Sequence, residues 1–221
     1  MTCGWDIIGE TGLQFFGKMS ASISHEIKNV LAIINESAGL LEDLTVMAEK
    51  GMPIDQERLK NHAGKIVKQI RRADGIVQNM NNFAHSVDEF KKGVDLSEIT
   101  DLVSALSARF ASIRGVTVEL LIPEGPVMIT TSPFFLENLI WLCFDFAMDV
   151  AGENKTVGLS VEETQDGARM RFTRLDGLTE APEDRFPTER ERALLEMLGG
   201  ELEVEVGAGK LAIILPKDMG R

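Results

Sequence analysis

In the N-terminal part of the chain, apolar positions recur with a helical period. At about 100° per residue, Phe16, Met19, Ile23, Ile27, Val30, Ile34, Ala38 and Leu41 cluster in one direction. That stripe predicts a long helix from about Leu13 to Lys50. Gly4, Gly9 and Gly12 mark the preceding residues as a short lead-in, and Gly51-Met52-Pro53 ends the helix. A second helix is expected from near Asp55 to about Lys91. Its seam (Leu59, Ala63, Ile66, Ile70, Ala73, Val77, Met80, Ala84 and Val87) alternates spacings of four and three, a heptad pattern that asks for coiled-coil packing. Ile76, Phe83 and Phe90 widen it. Two such helices make an antiparallel hairpin, and a lone hairpin leaves one flank of that surface in water. Pairing two hairpins into a four-helix bundle covers it, so residues 13–91 read as a dimerising module.

From Val94 the pattern shortens. Ser97 with Glu98 and Asp101 reads as a capped helix start. Ile99, Leu102, Val103, Leu106, Phe110 and Ile113 form its inward face, and Gly115 ends it. Strand formers run from Val116 to Ile122 and stop at Pro123, with a short strand expected at Val127–Ile129. Pro133 opens a strongly apolar helix to about Ala151. Strand patterns at Thr156–Glu162 and Ala168–Thr173 flank Asp166-Gly167, a hairpin turn signal. Thr188 and Glu191 make a capping box for a helix over Glu189–Leu198, ended by Gly199-Gly200. Glu201–Val206 and Lys210–Leu215 form a last hairpin across Gly207-Ala208-Gly209. The expected fold class is α+β: a helical hairpin, then over 94–217 an α/β sandwich with one mixed sheet covered on one face by helices.

Composition narrows the partners. With 221 residues, 44% hydrophobic and 26% charged, the chain can bury a real core. Its net charge of −12 argues against nucleic acid or an anionic membrane as main partner, since both need a basic surface. Cys3 and Cys143 suggest neither a disulfide framework nor a zinc site, and His25, His62 and His85 form no metal-ligand spacing with them. No charged-then-apolar leader opens the chain and no uncharged run would span a bilayer, so a cytoplasmic location is expected.

The chemistry concentrates on one stretch. His25 lies about 180° from the apolar stripe of the first helix, sharing the outer face with Asn29, Ala32 and Glu36. An exposed neutral imidazole can act as a nucleophile near neutral pH. Glu26 follows it directly, placed to orient the ring or take its proton, and Asn29 stands one turn on. Ser24-His25-Glu26-Ile27-Lys28-Asn29-Val30-Leu31 resembles the H-box of two-component histidine kinases, S-H-E-hydrophobic-K/R-N/T-P-L, departing from it only in Val30 for proline. The resemblance implies that His25 carries a phosphoryl group, Glu26 assists as base or orienter, Asn29 positions water for phosphatase activity and Lys28 helps balance charge. Ile70-Arg71-Arg72-Ala73-Asp74 and Met80-Asn81-Asn82-Phe83-Ala84 resemble the second helix of the same family. His62 and His85 have no adjacent acid and read as surface residues.

The order of elements after Val94 resembles the Bergerat-type ATP-binding domain of the same kinases, from Val94-Asp95-Leu96 to the closing hairpin at Leu215-Pro216. Its nucleotide motifs depart from the family. Where N-L-x-x-N-A is usual, Leu142 and Phe146 stand at the two Asn positions, and Asp145 is one step off the required face. Mg²⁺ wants oxygen ligands. Of D-x-G-x-G only Asp176-Gly177 remains. Pro187-Thr188-Glu189-Arg190-Glu191 puts carboxylates where phosphates would sit, which is electrostatically wrong for ATP. These departures resemble the histidine phosphotransferases of phosphorelays, dimeric bundles with ATP-free kinase-like domains. The expectation is a homodimer without a cofactor of its own, exchanging phosphoryl groups with the receiver domain of a response regulator, which brings the Mg²⁺. An autokinase with a divergent ATP site, or a non-catalytic pseudokinase that binds receivers, remain open, and ATP binding separates the first from the rest.

Overall fold

The computed structural model describes residues 2–121, 123–180, 182 and 185–220, with the backbone alone at 2, 3 and 180. The chain divides into two compact units, Ser20–Asn82 and a second made of the residues up to Met19 together with those from Phe83 onward.

Helices α1 (Thr2–Glu49) and α2 (Gln56–His85) supply the first unit. Ile23, Val30 and Leu44 are buried within it, and Ile66, Ala73 and Ile76 of α2 are half-buried. The heptad seam is therefore split. Leu59, Ile70, Val77 and Met80 stay 41–47% exposed along the other flank of α2. Gly51, at φ +82°, lets the chain leave α1, its N–H bonding to the Ala48 carbonyl at 2.9 Å. Asp55 caps α2, its carboxylate accepting from the Glu57 and Arg58 amides at 3.0 and 3.1 Å.

Both helix boundaries next to the second unit differ from expectation. The lead-in glycines do not interrupt α1, which is helical from Thr2. Packing decides this over propensity: Ile8, Thr11, Phe15 and Met19 are buried on one stripe. Gly12 suits that close packing, because a Cβ would come within 3.1 Å of the Phe134 ring and press on it. Helix α2 ends at His85, short of Lys91. The Ser86 hydroxyl donates to the Phe83 carbonyl at 2.7 Å, diverting the last turn, and residues 86–91 turn the chain into a strand.

That strand, β1 (Lys92–Asp95), pairs antiparallel with β3 (Met128–Thr131). Between them lie α3 (Leu96–Arg114) and β2 (Thr117–Leu121); the expected last strand residue, Ile122, lies outside the described residues. The cap of α3 is Asp95 and not Ser97, which is buried. The Asp95 carboxylate accepts from the Ser97 amide at 2.9 Å and the Val127 amide at 3.0 Å, tying helix start to neighbouring chain. Then follow α4 (Pro133–Asp149), β4 (Thr156–Thr164), β5 (Gly167–Thr173), α5 (Glu189–Leu198), β6 (Glu201–Glu205) and β7 (Lys210–Pro216). The main sheet has the order β2-β4-β5-β7-β6, with β2 and β4 parallel and the rest antiparallel.

Registers place Leu159 opposite Phe172 and Phe172 opposite Leu211, while Val161, Met170 and Ile213 form the next row. Alternate residues thus make one apolar face, and α4 lies on it, with the rings of Phe144 and Phe172 6.3 Å apart. On the other face Glu162, Arg169, Arg171 and Glu203 form ion pairs. The α+β class holds as expected: a helical hairpin and a mixed sheet with helices on one side. Among the described residues no helix is long and apolar enough to cross a membrane.

Candidate functional site

The stretch around His25 is an uninterrupted part of α1. Ile23 and Val30 turn inward, so the residues a half-turn away face solvent: His25, Lys28 and Asn29 are exposed and Glu26 is half-buried. The Asn29 side chain reaches back one turn and its Nδ2 lies 3.1 Å from His25 Nδ1. An amide N–H only donates, so in this arrangement Nδ1 accepts and the ring proton sits on Nε2. Turning the amide about its last bond is isosteric. It brings Oδ1 to accept from Nδ1–H and leaves the Nε2 lone pair free.

Glu26 is directed elsewhere. Its Oε2 lies 3.4 Å from a guanidinium nitrogen of Arg72 on α2. The structure thus joins Asn29 to His25 and Glu26 to Arg72, while Lys28 is exposed without an ion pair among the described residues. Arg72 was missed as a site residue. Its signal was present in Ile70-Arg71-Arg72-Ala73-Asp74, but a pair separated by 46 positions is not readable from local spacing. Of the other histidines, His85 is exposed as expected of a surface residue, and only His62 departs from that expectation. His62 is half-buried, and His85 Nδ1 meets the Asp88 carboxylate at 2.7 Å, three residues on.

In the sheet domain, the positions corresponding to nucleotide motifs are occupied by contacts within the protein. Phe146 stacks face to face on Phe186, centroids 4.3 Å apart and planes 5° from parallel. Arg185 lies over the Phe146 ring at 5.8 Å and reaches Asp149 at 3.2 Å. Leu142 is buried. Asp145 accepts from Arg114 at 2.7 Å, and its other oxygen is 3.8 Å from Lys18. Among the described residues no cluster of three or more His, Cys, Asp or Glu side chains is placed to hold a metal ion.

Asp176 turns into the chain beside it. A Cβ on Gly152 would stand 2.1 Å from the Asp176 carboxylate, so only glycine allows that approach. The Gly177 amide bonds to the Val150 carbonyl at 3.1 Å. Just before them, Arg174 at φ +65° bonds to Glu119 at 2.6 Å, and that hydrogen bond holds the Glu119 carboxyl below its ordinary value. An open cleft of about 700 Å³ borders Asp176 and Gly177, its remaining wall being residues 151–155.

No protein-family profile and no curated protein matches the chain. Among solved structures, the chain is similar to the catalytic domain of histidine kinase ThkA, with 14% identity and a TM-score of 0.47 over 58% of this chain and 97% of that one. It is also similar to the Acinetobacter baumannii histidine kinase AdeS, with 13% identity and a TM-score of 0.49 over 87% and 98%. A third likeness is to the ATP-binding domain of PrrB from Mycobacterium tuberculosis, with 20% identity and a TM-score of 0.46 over 58% and 98%.

Proposed function

We propose that the chain is a phosphotransfer protein of two-component signalling. His25 carries the phosphoryl group and exchanges it with receiver-domain aspartates, without ATP-dependent autophosphorylation of its own. The observation that carries this reading is the presentation of His25: solvent-facing, inside an otherwise intact S-H-E-I-K-N stretch, with Nδ1 held by Asn29.

The chemistry follows from the two ring nitrogens. A phosphorylated aspartate is an acyl phosphate. His25 Nε2 attacks its phosphorus, the N–P bond forms as the P–O bond to the aspartate breaks, and the carboxylate leaves. Nδ1 keeps its proton, and the positive charge the ring gains is stabilised by a hydrogen bond to Asn29 Oδ1. Glu26, next to His25 in sequence and paired with Arg72, serves as base or orienter for the ring when it turns from that pair. Arg72, paired with Glu26, and Lys28 offset the charge of the transferring group. In the reverse direction the same bonds form and break in the opposite order. Asn29, already one turn from the ring, can also hold the water that hydrolyses a receiver's phosphoryl group.

Loss of the ATP step is supported by the Phe146–Phe186 stack and the Arg114–Asp145 pair. Oxygen and nitrogen ligands for Mg-ATP are replaced there by rings and by a carboxylate already neutralised. The exposed flank of α2 supports a homodimer whose four-helix bundle comes from residues 13–91.

The test is transfer of label. After mixing with labelled phospho-receivers, the wild-type chain is expected to carry acid-labile label. His25→Gln should carry none while keeping its helical content, because the ring packs on little. Asn29→Ala should transfer about tenfold more slowly, the scale of a single hydrogen bond. Label appearing from Mg-ATP alone would favour the autokinase reading. If no receiver either loses label to the chain or is dephosphorylated by it, the proposal fails.

A further inference from the structure

We propose that the second copy completes the site: Arg71 of the partner subunit holds the phosphoryl group as it passes to and from His25, a role that rests on phosphotransfer by His25 in a two-hairpin bundle. The tandem pair Arg71-Arg72 on α2 is put to two different uses. Arg72 meets Glu26 of its own hairpin at 3.4 Å. Arg71 is exposed and has no ion pair among the described residues, although Asp74 stands three positions on.

Position around the helix separates the two arginines. At about 100° per residue, the half-buried Ile66, Ala73 and Ile76 mark the side of α2 turned to its own α1. Arg72 lies about 90° from that line, on the side where Glu26 reaches it. Ile70 and Val77, 47% and 45% exposed, lie on the other side, and Arg71 follows them about another 110° round. Each helix of a four-helix bundle has two neighbours. Arg72 thus edges the contact of α2 with its own α1, and Arg71 edges the contact that the apolar flank makes with α1 of the second copy.

Height along the bundle agrees. The Arg72–Glu26 contact sets the level at which the antiparallel helices meet. Arg71 is then level with Ile27, about 3 Å along the axis from His25. A two-fold axis along the bundle keeps the same levels for the second copy. The partner's Arg71 therefore arrives beside the outer face that carries His25 and Lys28. As phosphorus moves between the receiver's carboxylate and His25 Nε2, its three other oxygens stay bonded and carry negative charge throughout. A planar guanidinium donates two parallel N–H bonds to two of them, where Lys28 supplies only a point charge. An arginine brought by a second chain to a transferring phosphoryl group stabilises that charge strongly.

Mixed dimers test this, each purified through two different tags after co-expression of full-length chains. Transfer from labelled phospho-receivers should be about thirtyfold slower in the Arg71→Gln homodimer, the scale of one hydrogen bond to a charged group. Its dimeric state and helical content should be unchanged. A dimer of Arg71→Gln with His25→Gln keeps one His25, on the Arg71→Gln chain, facing an intact Arg71 from the other chain. It should transfer at close to the wild-type rate per intact His25. In the reciprocal dimer, a wild-type chain is paired with a chain carrying both His25→Gln and Arg71→Gln. Its one His25 has Arg71 on the same chain, yet transfer should be as slow as in the Arg71→Gln homodimer. The trans role is overturned if the Arg71→Gln homodimer keeps the wild-type rate, if the first mixed dimer stays slow, or if the reciprocal dimer is fast. A wild-type protein that takes no label from any phospho-receiver would instead remove the phosphotransfer reading, and the role of Arg71 with it.

Discussion

Glu137 lies on α4 among Leu136, Leu139 and Ile140, with only 1% of its surface exposed. Burial pushes its carboxyl up to about 8, opposed in part by the neighbouring Ser86 hydroxyl. The native protein therefore keeps a proton that the unfolded chain has released above the ordinary carboxylate range. Stability from this group is full below that range, falls as pH rises through it, and levels off once pH passes about 8. The slope in between is about 1.4 kcal/mol per pH unit. Urea midpoints measured from pH 5.5 to 8.5 should decline for the wild type and stay nearly level for Glu137→Gln, which retains the shape without the proton equilibrium. An equal decline in both proteins would remove Glu137 as the cause. At this scale the sequence displayed the exposed histidine and its amide, since His25 and Asn29 are one turn apart. It could not display that Asn29 turns onto the ring and Glu26 onto Arg72, because side-chain direction depends on what the opposite helix offers. Glu137 was visible as an acid inside an apolar run, but its depth depends on packing by residues far along the chain.

Elements were legible where local chemistry decides them. Helix α5 begins and ends as the Thr188–Glu191 capping box and Gly199 dictate: Glu191 accepts from the Thr188 amide at 2.6 Å, and Gly199 takes φ +65°. Thr188→Ala removes half of that reciprocal cap and should cost about 1 kcal/mol. Thermal unfolding would show it, with Thr188→Ser keeping most of the stability. Elements were misread where tertiary contact outweighs local preference. Three glycines before Leu13 signal a broken lead-in, but Phe15 lies in edge contact with Phe83 at 5.3 Å and near Phe134 at 5.7 Å, and burial carries the helix back to Thr2. Strand β1 was missed for a related reason. Its four residues, Lys92–Asp95, carry too little pattern to predict a strand, and it exists through pairing with β3.

For the whole molecule, the heptad seam of α2 is the feature whose two halves need different explanations. Ile66, Ala73 and Ile76 are partly covered within the hairpin, whereas Leu59, Ile70, Val77 and Met80 remain 41–47% exposed. Exposed apolar side chains scattered singly are ordinary, but these recur at helical spacing along one flank, which marks an interaction surface. Each, when fully buried, contributes about 1.5–3 kcal/mol, so covering the flank in a second copy gives association a clear driving force. The sequence could not divide the seam, because both halves share one heptad pattern. If the bundle is a homodimer, Ile70→Lys combined with Val77→Lys places charges in its centre while leaving the inward flank unchanged. Light scattering at micromolar concentration should then report a dimer for the wild type and a monomer for the double variant, with loss of helical content if the hairpin depends on its partner. A wild-type monomer, or a double variant that stays dimeric, would show that this flank is not the dimer seam.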